Sequence, residues 1–187
     1  MQAKRRELRA AAAQEARLDG SAASHWLAPA VEMAALESDE LALGPDYAGM
    51  CWACFPGIGT PTPDGPASRV RRARDFTAST LHQWDVAGRC DDIAIVVTEL
   101  VTNALQHARP ASTNTCAGWP IQLGLLHPEH CVMCAVADAS KAVPVPREPD
   151  FFDETGRGLH VIAALSDHWG YTTSGDMGKV IWALFYT

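Results

Sequence analysis

The sequence predicts an α/β fold of the α+β two-layer type, in which a mixed, largely antiparallel sheet carries helices on one face. Three observations lead to this prediction. Helical and strand-like segments alternate along the chain. The apolar runs Ile121–Leu126 and Cys131–Ala137 flank a short segment with a proline and predict a hairpin. The closing strands, Trp169–Thr173 and Lys179–Tyr186, are also joined by a turn, so they run in opposite directions.

Composition limits the class of protein. The chain has 187 residues, of which 48% are hydrophobic and 20% are charged, as in a globular domain. Its formal net charge of -7 argues against direct binding of nucleic acid, which needs a basic surface. We find no apolar run of the roughly 18 residues that a membrane helix requires, and no signal-peptide pattern at the N-terminus. We therefore expect a cytoplasmic protein without a membrane partner.

The first part of the chain differs from the rest. Residues 3–18 consist of strong helix formers and contain neither glycine nor proline, which predicts a helix. Residues 21–50 are mixed and acidic, and no period assigns them to an element. We interpret residues 1–50 as a partly helical N-terminal extension of unknown function, and residues 51–187 as one domain.

The domain begins with a short apolar strand, Cys51–Phe55, which a Gly/Pro-rich loop at residues 57–66 follows. Apolar residues at helical spacing predict a helix from Ser68 to about Trp84. Asp91 is a suitable N-cap for a second helix, residues 92–108.

Beyond the central hairpin, a Pro-rich stretch at residues 143–149 leads to an acidic patch and a Thr-Gly-Arg-Gly turn. A third helix is predicted from about Leu159 to Ser166.

The second predicted helix contains the segment TELVTNALQHA and has two distinct faces. Its apolar residues, which recur at helical spacing, are Ile93, Val96, Val97, Leu100, Ala104 and Leu105. Glu99, Asn103 and His107 are four residues apart and line another face. The amide oxygen of Asn103 is a hard ligand suited to Mg²⁺. Glu99 can accept a proton from a group that attacks a γ-phosphate.

Two further motifs stand at the ends of elements. Asp138 ends a hydrophobic strand, where its carboxylate can accept a hydrogen bond from an exocyclic amine; a turn-forming aspartate is the alternative. Gly156, Arg157, Gly158 and Leu159 open a helix. Glycines at a helix N-terminus let backbone N–H groups close on an anion, which the helix dipole favours. Each motif alone is weak evidence for a site.

The three motifs follow one another as helix, strand end and glycine turn. This combination resembles the N, G1 and G2 boxes of the GHKL ATPase/kinase superfamily, which includes DNA gyrase and histidine kinases. The segments ELVTNALQHA, GRGLHVIAALSDHWG and GKVIWALF look like those of the compact bacterial anti-sigma-factor serine/threonine kinases. With FPG and SRVRRARDFTASTL upstream, the resemblance covers about residues 52–186 and implies the histidine-kinase-like ATPase fold.

The resemblance implies roles for individual residues. Glu99 corresponds to the general base, Asn103 to the asparagine that binds Mg²⁺, and Asp138 to the aspartate that recognises the adenine amino group. The residues implied to bind ATP are Asn103, Asp138, Ser140, Gly156, Arg157, Gly158 and Leu159. Ser140 stands where many superfamily members have glycine. Val180 stands where relatives usually carry a threonine beside the adenine, so we expect weaker adenine contacts.

The implied ligands are ATP and Mg²⁺, bound between the Glu99 helix and a lid at residues 141–157. On the kinase hypothesis, the γ-phosphate passes to a serine or threonine of an anti-sigma antagonist. On the alternative hypothesis, the domain is a non-catalytic ATP-binding module that sequesters a sigma factor or another regulator. The motifs do not separate the two, because both need the same residues. Dimeric relatives imply a possible homodimer.

The cysteines raise one competing hypothesis. Cys51 and Cys54 form one C-x-x-C pair, and Cys131 and Cys134 form another, which suggests zinc. The pairs are much farther apart in sequence than those of a compact zinc ribbon, and they lie in strand-like runs. Because residues i and i+3 of a strand face opposite sides, buried reduced thiols are the favoured interpretation.

Overall fold

The computed structural model of the chain describes residues 50–55, 65–86, 88–107, 121–128, 130–144, 157–174 and 178–187. The predicted helix at residues 3–18, Gly156 and most of the predicted lid lie outside these ranges. Those predictions, and the division of the chain at residue 50, therefore stay predictions. No helix in the described ranges is long and apolar enough to cross a membrane.

The described residues form three helices and five strands. In chain order these are β1 (Met50–Phe55), α1 (Pro66–Gln83), α2 (Cys90–His107), β2 (Ile121–Leu126), β3 (Cys131–Asp138), α3 (Arg157–Leu165), β4 (His168–Ser174) and β5 (Gly178–Tyr186). Each element was predicted from the sequence, and only element boundaries differ.

The boundaries of the first two helices shift for local reasons. α1 begins at Pro66 rather than Ser68, because proline needs no N–H partner in the first turn and its φ angle suits a helix. α2 begins at Cys90, so Asp91 lies in the first turn instead of at the N-cap. There its negative charge still favours the positive end of the helix dipole.

The sheet has the strand order β1-β2-β3-β5-β4. Every pairing between the described strands is antiparallel, which confirms the largely antiparallel sheet. β3 and β5 are neighbours although α3 and β4 lie between them in the chain. The end of β3 and the start of β5 therefore meet at one end of the sheet, where Asp138 pairs with Lys179.

The helices cover one face of this sheet. α2 contacts β2, β3 and β5, while α1 packs on α2 and α3 packs on both α2 and β4. The predicted apolar stripe of α2 is buried as expected, except that Leu105 is only half-buried and Val101 is buried as well. α2 thus carries its apolar face into the core and leaves its polar face for other contacts.

Side-chain alternation assigns the strand residues to a face. The helix-covered core contains Val132, Cys134 and Val136 of β3 and Ile181, Ala183 and Phe185 of β5. Asp138 and Lys179 continue these two series and therefore lie on the helix-covered face. Trp182 lies on the opposite face, where its fully buried indole stacks over Gly170 of β4.

Arg89 holds the first residues of α2 against the end of α3. Its Nε donates to Asp92 Oδ2 at 2.9 Å, and its Nη1 donates to Asp167 Oδ2 at 3.0 Å. Nη2 donates to the carbonyl oxygen of Leu165, the last residue of α3. Arg89 adopts a φ of 63°, a left-handed conformation that directs the chain into α2. These contacts define how α3 lies relative to α2.

The described cysteines do not converge on one point. Cys131 and Cys134 lie on opposite faces of β3, and Leu125 stands between Cys51 and Cys134 in the cross-strand row. Cys51 and Cys134 are therefore two strand spacings apart, roughly 10 Å, which is too far for both thiolates to bind one metal ion. Among the described residues, no group of three or more His, Cys, Asp or Glu side chains is arranged to hold a metal ion. Burial raises the pKa of Cys134 to about 12.

Candidate functional site

The polar face of α2 is oriented as the helical spacing predicts. Glu99 and Asn103 are half-buried, and His107 is exposed at the C-terminal end of the helix. The opposite face of the helix is fixed in the core by residues such as Leu100 and Ala104. Because that packing determines the rotation of α2, the carboxylate and the carboxamide lie at the edge of the core, where a ligand can reach them.

The start of α3 lies directly against these two side chains. A Cβ atom added at Gly158 would lie 2.9 Å from Glu99 Oε2 and 3.0 Å from Asn103 Nδ2. The same position is 3.2 Å from Asn103 Oδ1, so Gly158 faces the whole carboxamide. Any larger residue would occupy the space that these groups now border. The structure therefore brings together three residues that the sequence analysis assigned to the site.

The first residues of α3 have different environments. Arg157 begins the helix and is exposed, whereas Leu159 is half-buried and packs against the core. Leu159 thus anchors the first turn and keeps Gly158 over α2. Backbone N–H groups in the first turn have no acceptor within their own helix and attract anions. Gly156, also assigned to this turn, lies outside the described residues.

Asp138 is the last residue of β3 and is almost completely buried. Its Oδ1 accepts a hydrogen bond from the backbone N–H of Ser140 at 2.7 Å. The Ser140 hydroxyl oxygen in turn accepts one from the N–H of Ala142 at 3.1 Å. The chain after β3 thus folds back around the carboxylate, which holds the side chain in place. The Asp138 carboxylate can therefore both stabilise this turn and bind a ligand.

Lys179 is the cross-strand partner of Asp138. Its Nζ donates to Asp138 Oδ1 at 3.0 Å, and the exposed fractions of the two side chains are only 6% and 2%. Burial raises the pKa of Asp138 above its usual value; the Lys179 ammonium, the Ser140 N–H and the charge of His107 partly offset this. Because α2 packs on β3, Asp138 lies on the face of the sheet that this helix covers.

Lys179 is a candidate site residue that the sequence analysis did not assign. Val180 was expected beside the adenine, but Val180 pairs with Ala137 and lies on the face opposite to the helices. The register of β3 and β5 places Lys179, rather than Val180, next to Asp138, and the effect of Val180 on adenine binding stays a prediction. A signal was present in the sequence, because a single lysine opens the apolar run KVIWALF and needs a partner if it is buried.

Gly178, the first residue of β5, permits this arrangement. Its φ is 87°, and a Cβ added there would lie only 2.0 Å from the carbonyl oxygen of Asp138. No other residue type allows β5 to approach the end of β3 so closely.

The chemistry of these groups fits a magnesium nucleotide. Asn103 offers the hard oxygen atom that Mg²⁺ prefers, and Glu99 offers a carboxylate that can accept a proton. The α3 N-terminus and the space left by Gly158 suit phosphate groups next to them. Asp138 supplies a buried carboxylate at the end of β3, on the face of the sheet that the helices cover.

The comparison with protein families agrees with this geometry. A family model described as the histidine kinase-like ATPase domain matches residues 63–185, which include each described residue of the site. No curated protein matches the chain. Because the family match covers most of the chain and the helices and strands fit that fold, the chain belongs to the histidine kinase-like ATPase domain family and contains an ATP-binding domain of the GHKL type.

Proposed function

We propose that this domain binds ATP with Mg²⁺ and transfers the γ-phosphate to a serine or threonine of a partner protein, an anti-sigma antagonist. The packing of Gly158 against both Glu99 and Asn103 supports this proposal. It brings a carboxylate, an amide oxygen and a helix N-terminus to one place, as phosphoryl transfer requires.

Each group has a distinct task in the proposed reaction. Glu99 accepts the proton of the attacking hydroxyl, whose oxygen forms a bond to the γ-phosphorus. The bond from that phosphorus to the β–γ bridging oxygen breaks, and ADP leaves with the electron pair. Asn103 holds the metal, and the N–H groups at the start of α3 bind phosphate oxygens. When bound, Mg²⁺ neutralises negative charge on the phosphates.

The proposal includes a cytoplasmic location and a possible homodimer. The described cysteines Cys51, Cys90, Cys131 and Cys134 are free thiols, which suits a reducing compartment. Because the chain has a formal net charge of -7, the partner surface that it meets is expected to be neutral or basic.

The test of the enzymatic role is Glu99→Gln, which retains side-chain size but removes the basic oxygen. The parent and the variant are incubated with labelled ATP, Mg²⁺ and candidate antagonists, and phosphoserine is measured. We expect transfer to fall by roughly 10²–10⁴-fold while ATP affinity persists. Asp75→Asn makes the same chemical change at an exposed position of α1 and serves as the matched control.

The outcomes separate the two functions. Transfer at the parental rate by Glu99→Gln would contradict the role of Glu99. If the parent binds ATP but phosphorylates no partner, the domain is a non-catalytic binding module that sequesters a sigma factor or another regulator.

The metal site has its own test. Asn103→Ala removes the amide oxygen, so Mg²⁺-dependent ATP binding measured by calorimetry should be lost while the fold persists. Unchanged binding would show that Asn103 does not hold the metal.

A further inference from the structure

The ion pair between Lys179 and Asp138 has more hydrogen-bonding capacity than it uses. An ammonium has three donors, and among the described residues only Asp138 accepts one of them, at 3.0 Å. Within the described part of the chain, two donors of this side chain, which is only 6% exposed, therefore have no acceptor. A buried charge whose hydrogen-bond donors lack acceptors lowers the stability of the fold. A ligand that supplies acceptors would offset this loss, so the arrangement is suited to a ligand.

The backbone holds this pair in a fixed geometry. Gly178 allows β5 to lie very close to the end of β3, and Lys179 pairs directly with Asp138 across the two strands. The amide of Ser140 restrains the carboxylate from the other side. A hydrogen-bond donor and an acceptor are thus presented side by side on the helix-covered face of the sheet.

We propose that Lys179 is a specificity-determining residue that donates a hydrogen bond to N1 of adenine while Asp138 accepts one from the 6-amino group. The Watson–Crick edge of adenine presents an amino donor next to a ring-nitrogen acceptor, which is the complement of this pair. The proposal deepens the proposed ATP site and depends on it. It assigns to Lys179 a role beyond neutralising a buried aspartate.

The test compares ATP with 1-deaza-ATP, in which a C–H group replaces N1. Calorimetry on the unmodified chain in Mg²⁺ should show 1-deaza-ATP binding about tenfold to a hundredfold more weakly, because a hydrogen bond from a charged donor is lost. This measurement needs no substitution, so it cannot be confused with a folding defect.

Lys179→Met provides the second measurement. It should weaken ATP binding by a similar factor and should bind ATP and 1-deaza-ATP equally. The double variant with Asp138→Asn serves if the single variant does not fold, since it leaves no buried carboxylate unpaired. Arg74→Met, which removes a positive charge at an exposed position of α1, is the control and should discriminate as the parent does.

The outcomes are distinguishable. If the parent binds both nucleotides equally, or if Lys179→Met still prefers ATP to 1-deaza-ATP, Lys179 does not contact N1. A parent that prefers GTP to ATP would also overturn the adenine assignment. If the parent binds neither nucleotide, the proposed function fails together with this inference.

Discussion

Replacement of Gly158 by alanine should separate ligand binding from stability. The added Cβ would lie 2.9 Å from Glu99 Oε2 and 3.0 Å from Asn103 Nδ2. Since ordinary contacts between such atoms are about 3.5 Å, each group must retreat by about half an ångström. Both contacts involve the ends of side chains, so the groups can move without disturbing the core.

The expected loss of affinity is not accompanied by a loss of stability. Mg²⁺ demands near-ideal octahedral geometry, and a site displaced by about half an ångström loses its preorganisation. We expect the affinity for ATP-Mg²⁺ to fall roughly tenfold or more, and transfer by about 10²-fold. Alanine favours a helix over glycine by at most about 0.5–1 kcal/mol, so the Tm without ligand should stay constant or rise by about 1–4 °C.

Calorimetry with ATP-Mg²⁺ and thermal denaturation without ligand measure the two effects. Gly88→Ala is the control, because a Cβ at Gly88 meets nothing within 4 Å. Parental affinity in Gly158→Ala would refute the placement of Gly158 over the metal site. A Tm several degrees below that of the parent would show instead that the contact with α2 is structural.

Three further predictions concern the framework. Gly170→Ala places a Cβ 2.5 Å from the buried indole of Trp182, so urea denaturation should show a loss of about 1–3 kcal/mol; an unchanged midpoint would contradict this packing. Cys134, whose pKa burial raises to about 12, should resist alkylation between pH 7 and 9 until the protein unfolds, as mass spectrometry can show. Arg89→Ala and Asp167→Ala should couple by about 0.5–1 kcal/mol in a double-mutant cycle, since both groups are partly exposed; additive losses would exclude their ion pair as a stabilising contact.

The helices, the strands and the polar face of α2 follow from local patterns. The spacing of Glu99, Asn103 and His107 places them on one face in any α-helix, and the apolar residues opposite decide which face is buried. Likewise, the short connection in the central hairpin leaves few alternatives to antiparallel pairing. The observed element boundaries differ from the predicted ones by a few residues, as at Pro66, because helix caps depend on detailed backbone geometry.

The composition of the site depends on contacts between distant segments. Lys179 and Asp138 are 41 residues apart, and a shift of the β5 register by one residue would have placed Val180 opposite the carboxylate instead. No periodicity within β5 decides that register; the close approach of Gly178 to Asp138 does. Similarly, Gly158 lies over Glu99 because helix packing and the Arg89 contacts orient α3 on α2. Local sequence thus specifies which elements form and which faces they bury, whereas strand register and helix packing, which involve the whole domain, decide which side chains meet.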